Sequence, residues 1–166
     1  MTLVEVVDSL KSIASQQPNI RTVQEGSIYE ILNANPSVVY NAFIITQEQH
    51  RESEDYVYYS FDLFCVDRLT DDYNNRLQIQ SITREVLSRI IRIFCETHDI
   101  DMPDDTMLTY NTFTERFVDT CSGTYARVTF QIPVDLICGE EDEPQIEITS
   151  NGYYWIGNTK IKVDVE

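Results

Sequence analysis

The feature that most constrains the fold is a run of eleven residues at positions 56–66, Tyr-Val-Tyr-Tyr-Ser-Phe-Asp-Leu-Phe-Cys-Val. Aromatic and β-branched residues favour strands, and large side chains stand on both sides of this one over much of its length. Such a strand fits the centre of a sheet that is covered on one face and contacted by something on the other. Tyr56 and Tyr58 are candidate subunit-contact residues, because tyrosine combines an apolar ring with a polar tip.

The segments around this run predict two helices and further strands. Thr2 can cap a first helix that reaches about Gln17, and its apolar residues follow the three-and-four spacing of one stripe. A second stripe of this kind begins after residues 71–74 and reaches about Glu96. Further strands are expected at residues 20–25, continuing over 27–32 after Gly26, and at 38–46, 107–120 and 124–137, with Ser122-Gly123 as the last turn.

This order of elements predicts an α+β domain over residues 1–138, an antiparallel sheet with two helices packed on one face. The character changes over residues 139–166, where an acidic linker is followed by three short predicted strands. Turns at Asn151-Gly152 and Gly157-Asn158 make these strands a small β-meander. Three strands are barely stable alone, so we expect the meander to dock on the main domain or on a neighbouring subunit.

The charge balance limits the possible partners. The 166 residues include 28 acids and 12 bases, a net charge of −16. A protein that reads nucleic-acid sequence needs clustered Lys and Arg, so that class is disfavoured. This charge is compatible with a protein that encloses DNA without binding it, because a negatively charged wall repels the phosphates.

No pattern in the sequence predicts an enzyme, a cofactor or a metal site. The chain lacks a nucleophile elbow, a P-loop and a glycine-rich dinucleotide loop. Cys95 and His98 could share a helical face, but no second pair stands at zinc spacing. The acidic loop at 99–105 lacks the glycine of a calcium loop. The four cysteines show no CxxC and are expected to be free thiols, and no apolar run is long enough for a membrane helix.

Arginines occupy much of the polar side of the second predicted helix. This row is either an ordinary solvated helix face or the partner of an acidic surface on the next subunit. In a chain of net charge −16, ion pairing between subunits would let copies assemble into a ring despite their mutual repulsion. The candidate residues are Arg76, Arg84, Arg89 and Arg92.

Two stretches of residues 1–138 resemble a group of tailed-bacteriophage virion proteins, the tail-terminator or tail-completion-like neck proteins. The first follows the N-terminal helix and runs from Pro18 through Gly26 to Ile31. The second ends at Cys138, and the order of helices and strands is also that of the family. The chain differs from the family in two respects. Tyr125 stands where the family usually has a tryptophan beside the glycine that corresponds to Gly123, and residues 139–166 are an addition of 28 residues. The matching positions that carry most weight are Gly26, Phe113, Glu115, Arg116, Phe117, Gly123, Ile132 and Pro133.

The resemblance implies a structural role in the virion. Such proteins assemble in the host bacterial cytoplasm into rings between portal and tail, contact adjacent ring or portal proteins, and enclose the channel through which genomic DNA is ejected. Similar proteins occur in short-tailed crAss-like phages, whose tail is a barrel of stacked rings. A twelve-fold ring is expected for such a barrel, and a six-fold ring for a terminator that caps a long tail tube.

Two classes other than a virion ring stay open. A cytoplasmic acidic module that mimics the charge of DNA would be a monomer or dimer with its acids clustered on one face. An enzyme with an unrecognised site would need a deep pocket with close carboxylates or a histidine. The sequence does not point to any residues for such a pocket.

Overall fold

The computed structural model describes residues 1–34, 38–70, 72–102, 108–134, 147–149, 153–156 and 159–162. These residues form a main sheet of six strands, a second sheet of three strands, and three helices. The helices are α1 (Leu3–Ser15), α2 (Ile28–Ala34) and α3 (Arg76–His98). The strands are β1 (Thr22–Glu25), β2 (Ala42–Gln47), β3 (Arg51–Glu52), β4 (Tyr56–Arg68), β5 (Tyr110–Arg116), β6 (Thr120–Pro133), β7 (Glu147–Thr149), β8 (Tyr153–Ile156) and β9 (Thr159–Lys162).

The main sheet has the strand order β1-β2-β4-β6-β5, and β3 pairs with β4 beyond the end of β2. The ladder between β4 and β6 is the longest and begins with Tyr56 opposite Pro133. The predicted central strand at 56–66 and the α+β class are therefore confirmed. The expectation of an entirely antiparallel sheet is wrong, because β1 and β2 run parallel. Residues 26–41 include α2 and supply the long crossover that two parallel neighbours require.

Helices α1 and α3 pack on one face of the main sheet, as predicted, and bury the larger core cluster. The ring of Phe94 on α3 lies 4.4 Å from the ring of Phe130 on β6, centroid to centroid. Phe61 on β4 continues this contact at 6.1 Å from Phe130. A hydrogen bond of 2.6 Å between Ser9 Oγ and His98 Nε2 joins the two helices at the edge of the core. These aromatic contacts lie within a core that is otherwise mostly aliphatic.

The predicted ends of the two long helices are close to the observed ones. Thr2 caps α1 as predicted, and its N–H donates to the Glu5 carboxylate at 2.6 Å in a reciprocal capping box. Helix α3 begins at Arg76, a few residues later than the polar opening at 71–74 indicated, and extends to His98. A strong apolar stripe therefore locates a helix well even when its first turn is polar.

The predicted strand continuation at residues 27–32 is wrong, because the chain forms α2 there. Gly26 ends β1 with a φ of +135°, a conformation that favours glycine. Ile28 and Leu32 stand four residues apart and pack beside Val66 on the sheet face away from α1 and α3. The segment is short and contains β-branched residues, so its three-and-four spacing is hard to distinguish from the pattern of a strand.

The predicted turn at Ser122-Gly123 is also wrong, because both residues lie inside β6. The chain reverses at residues 117–119 instead, and β6 begins at Thr120. Gly123 serves a close approach between strands: a Cβ built on it would lie 2.1 Å from the carbonyl oxygen of Cys65. Glycine is common in turns, but inside a strand it marks a place where another backbone comes close.

Strands β7, β8 and β9 form an antiparallel three-stranded sheet, in agreement with the predicted meander. The turns predicted at Asn151-Gly152 and Gly157-Asn158 lie outside the described residues, as does the acidic linker. Within the part of the chain that the structure describes, no helix is long and apolar enough to cross a membrane.

Asp67, near the end of β4, is a half-buried carboxylate at the rim of a cavity of about 100 Å³. Burial raises the pKa of Asp67 above its ordinary value of 3.8, while the backbone N–H of Arg68 and the charge of Arg21 oppose that rise. The folded state therefore binds this proton more tightly than the unfolded chain does. The contribution of Asp67 to stability is largest below pH 3.8 and is lost as the pH rises through the raised pKa.

We expect Asp67→Asn to raise the free energy of unfolding at pH 7 by up to about 1 kcal/mol, because the amide carries no charge to desolvate. The gain should vanish near pH 3.8 and below, where the carboxyl is also neutral. Urea unfolding at pH 7 and at acidic pH measures both values. Asp72→Asn is the matched control and should lower the free energy of unfolding at pH 7. Hydrogen bonds from Thr70 and Asn74 favour the charged form of Asp72 and lower its pKa. An Asp67→Asn variant that is less stable at pH 7 would contradict the assigned cause.

Candidate subunit interface

Three of the four predicted arginines lie together on the outer face of α3. Arg84, Arg89 and Arg92 line a shallow surface groove of about 480 Å³, which we call the arginine groove. Arg76 is exposed at the first residue of α3 and does not line it. The groove follows the three-and-four spacing on the side of α3 opposite its buried stripe. Its other lining residues are Ser81, Glu85 and Ser88.

The arginine groove keeps an excess of positive charge. Arg89 Nη2 lies 2.9 Å from Glu85 Oε1, and Arg92 Nε lies 3.6 Å from Glu96 Oε1. Both are exposed pairs one helical turn apart, each worth only a few tenths of a kcal/mol. The Arg84 guanidinium lies 5.5 Å from the centroid of the Tyr110 ring, and among the described residues no carboxylate pairs with it. An incoming carboxylate can therefore bind here without breaking a strong contact.

Tyr56 and Tyr58 lie on the other face of the sheet, away from α1 and α3. Among the described residues, α2 covers one end of this face of the central ladder, and we call the remainder the open sheet face. The two tyrosine rings are half-buried, with centroids 6.4 Å apart. The expectation of a strand with one covered face and one further contact surface fits this arrangement. The cross-strand pairs of the open sheet face are Tyr58–Gln131, Ser60–Thr129, Asp62–Arg127 and Phe64–Tyr125.

A bidentate ion pair stands in the middle of the open sheet face. Arg127 donates from Nε and Nη2 to the two carboxylate oxygens of Asp62 at 2.8 and 2.7 Å. Asp62 is buried, whereas the Arg127 side chain is exposed and also approaches Glu48 at 3.6 Å. The hydrogen bonds and charge of Asp62 raise the pKa of Arg127 further above its usual range. The pair thus holds a cation at a fixed position on this surface.

An aromatic cleft of about 420 Å³ adjoins this pair between α2 and β5. The Phe64 ring stacks on Tyr125 with centroids 5.3 Å apart, and Tyr29 lies 5.8 Å from Phe117. Phe113 completes the cleft against Phe64 at 6.1 Å. The family resemblance identified Phe113 and Phe117 in the sequence, but it did not predict that they line a cleft. Alternation along β4 pointed to this face, but its partners come from strands far away in the sequence.

The other positions of the family resemblance serve different purposes. Glu115 is exposed on β5 beside the cleft, and the backbone of Arg116 pairs with Thr120. Ile132 is fully buried in the core, and Pro133 ends β6. Together with the two glycines, these last two residues shape the sheet and do not line the arginine groove or the aromatic cleft.

His98, which the sequence places near Cys95 without a second pair at zinc spacing, has structural contacts in the fold. His98 forms a hydrogen bond with Ser9 on α1, and its ring centroid lies 4.9 Å from that of Phe94 in the core. Its side chain therefore has structural partners. Across the described ranges, no group of three or more histidine, cysteine, aspartate or glutamate residues could hold a metal ion. Burial raises the pKa of the free thiol of Cys65 to about 12, and Cys95 and Cys121 are likewise free. Cys138 and the acidic positions Asp104 and Asp105 lie outside the described residues.

No protein-family model matches this chain, and no curated protein sequence is significantly similar to it. The likeness to tail-terminator-like neck proteins therefore rests on the quoted residues and on the order of elements, and it stays a prediction.

Proposed function

We propose that this chain is a structural virion protein that forms a ring in the neck or tail of a tailed bacteriophage. The ring joins the portal or connector to the tail, contacts adjacent ring proteins, and encloses the channel for genome ejection. A twelve-fold ring is favoured and a six-fold ring is the alternative, as in the proteins that the chain resembles.

The observation that carries this proposal is the presence of two unlike contact surfaces on opposite sides of one sheet. The arginine groove lies on the outer face of α3, and the open sheet face lies behind it on the other side. A closed ring requires head-to-tail contacts between two different surfaces of each copy. Tyrosines, an aromatic cleft and a fixed ion pair suit such a contact.

The charge of the chain supports a channel that passes DNA. With a net charge of −16, the protein as a whole repels phosphate, although three of its arginines cluster on α3. A ring that transmits a duplex must avoid retaining it, and acidic walls serve that purpose.

The distribution of acids favours the ring over a DNA mimic. A charge mimic concentrates its carboxylates on one face. Exposed acids here occur on α1, α2, β3 and α3, which lie on both sides of the sheet; examples are Glu5, Glu30, Glu52 and Glu96.

The mass of the purified protein in solution tests the proposal. Light scattering after size exclusion should give about six or twelve times the subunit mass of 19.3 kDa at low salt. The mass should fall as salt screens the ion pairs of the arginine groove. A subunit of 19.3 kDa that stays monomeric at low salt and also when mixed with its portal would contradict the ring.

A further inference from the structure

The arginine groove calls for an anionic partner, and this chain contains one suitable segment. Residues 140–143 read Glu-Glu-Asp-Glu, four carboxylates in succession between Gly139 and Pro144. We propose that the acidic segment 140–143 of one copy binds the arginine groove of the neighbouring copy. This inference rests on the proposed ring and names the partner of one of its surfaces.

Charge complementarity is the first reason. Arg84, Arg89 and Arg92 line one groove, and the glutamates that accompany two of them form only weak exposed pairs. The hydroxyls of Ser81 and Ser88 add donors beside the guanidinium groups. A run of four carboxylates can therefore form several charge-assisted hydrogen bonds along the length of the groove.

The position of the segment along the chain is the second reason. Strand β6 ends at Pro133, and the Gln131 N–H donates to the Asp101 carbonyl at 3.3 Å, just beyond the C-terminal end of α3. The chain thus leaves the sheet near the Arg92 end of α3. The seven residue steps from Pro133 to Glu140 span at most about 25 Å. A segment on a tether of that length can reach the groove of a copy that packs beside this end of α3.

The small C-terminal sheet is the third reason. Strands β7, β8 and β9 follow the acidic segment directly and form a three-stranded sheet. A sheet of this size is barely stable alone and needs a surface to hold it. An acidic segment anchored on the next copy would bring the small sheet to that copy. Each copy would then donate one segment and accept one, a pattern that a closed ring satisfies for every member.

A mixing experiment tests binding between copies. One variant carries Arg84→Glu and Arg89→Glu, and the other carries Glu140→Lys and Glu141→Lys. The arginine-reversed variant places carboxylates opposite the acidic segment, and the lysine variant cancels the net charge of that segment from −4 to 0. We therefore expect each variant alone to remain at subunit mass in light scattering. An equimolar mixture should regain the ring mass, because each reversed surface then meets a complementary one. Failure of the mixture to assemble, or full assembly of the lysine variant alone, would overturn the proposal.

Matched variants control for net charge alone. Arg76→Glu with Arg51→Glu makes the same change on exposed arginines outside the groove, and Glu52→Lys with Glu54→Lys does so for the acids. Both control variants should assemble as the unaltered chain does. Loss of assembly in the controls as well would show that net charge, and not this contact, governs the ring.

A peptide experiment separates this inference from the ring itself. A fluorescein-labelled peptide of residues 139–145 is titrated onto the full-length lysine variant, whose groove is free of its natural partner. Fluorescence anisotropy should show binding that weakens with salt, and adding Arg84→Glu and Arg89→Glu should weaken it at least about tenfold. Equal or absent binding to both proteins would overturn the inference and leave the ring standing. A monomeric unaltered chain would instead overturn the ring.

Discussion

Gly123→Ala should destabilise the protein strongly, and more than Gly26→Ala, the same change at the other glycine that the structure describes. The new Cβ would lie 2.1 Å from the carbonyl oxygen of Cys65 and 3.1 Å from the Cα of Val66, both backbone atoms of the paired strand. No side-chain rotation relieves such a clash, so β4 and β6 must separate at the centre of the sheet. We expect a loss of about 3 kcal/mol or more, a large share of the 5–15 kcal/mol that holds a typical domain together.

Thermal unfolding followed by circular dichroism measures this loss. For a chain of this size, about 3 kcal/mol corresponds to a fall in Tm of roughly 6–12 °C. Gly26→Ala is the matched control, because Gly26 has a φ of +135° but its nearest neighbour would stand 3.7 Å from the added Cβ. That variant should lose only the cost of backbone strain, about 1–2 kcal/mol. A Gly123→Ala variant with an unchanged Tm would show that the strands do not approach so closely.

The double variant Arg84→Glu with Arg89→Glu should abolish assembly while leaving the subunit folded. Among the described residues, the exposed Arg84 contacts the Tyr110 ring and Arg89 pairs with Glu85 on the same helix. Both contacts are weak, so little folding energy depends on either arginine. Reversal converts the groove from an excess of cations to an excess of anions, and an acidic partner is then repelled. Light scattering should report the mass of one subunit.

Folding of the reversed variant is checked by far-UV circular dichroism and by Tm, which should stay within a few degrees of the unaltered protein. The control is again Arg76→Glu with Arg51→Glu, which changes the net charge equally outside the groove. Normal assembly of the groove variant would remove α3 from the interface. A lost fold would show that the arginines stabilise the subunit itself.

Long, strongly patterned elements were predictable from the sequence, whereas features set by distant pairing were not. Strand β4 can be predicted from its large side chains. Helices α1 and α3 can be predicted from apolar stripes that extend over several turns. Helix α2 spans only seven residues, too few to separate helical from strand spacing. The parallel pairing of β1 with β2 depends on that helix and was missed with it.

The candidate interface was predictable in part. The arginines were identified from helical spacing, but Arg76 falls outside the groove because it stands at the first residue of α3. The pair between Asp62 and Arg127 depends on the register of β4 against β6, across 65 positions of sequence. The role of Gly123 is likewise set by the partner strand, and local sequence gave the opposite interpretation, a turn.

End-on images of the purified protein by electron microscopy test the central claim most directly. The proposed ring predicts particles of one cyclic symmetry, six-fold or twelve-fold, with an open channel wide enough for a DNA duplex. The same images of the Arg84→Glu, Arg89→Glu variant should show no rings. Compact particles of one or two subunits without a channel, in the unaltered protein and in its mixture with the portal, would contradict the claim.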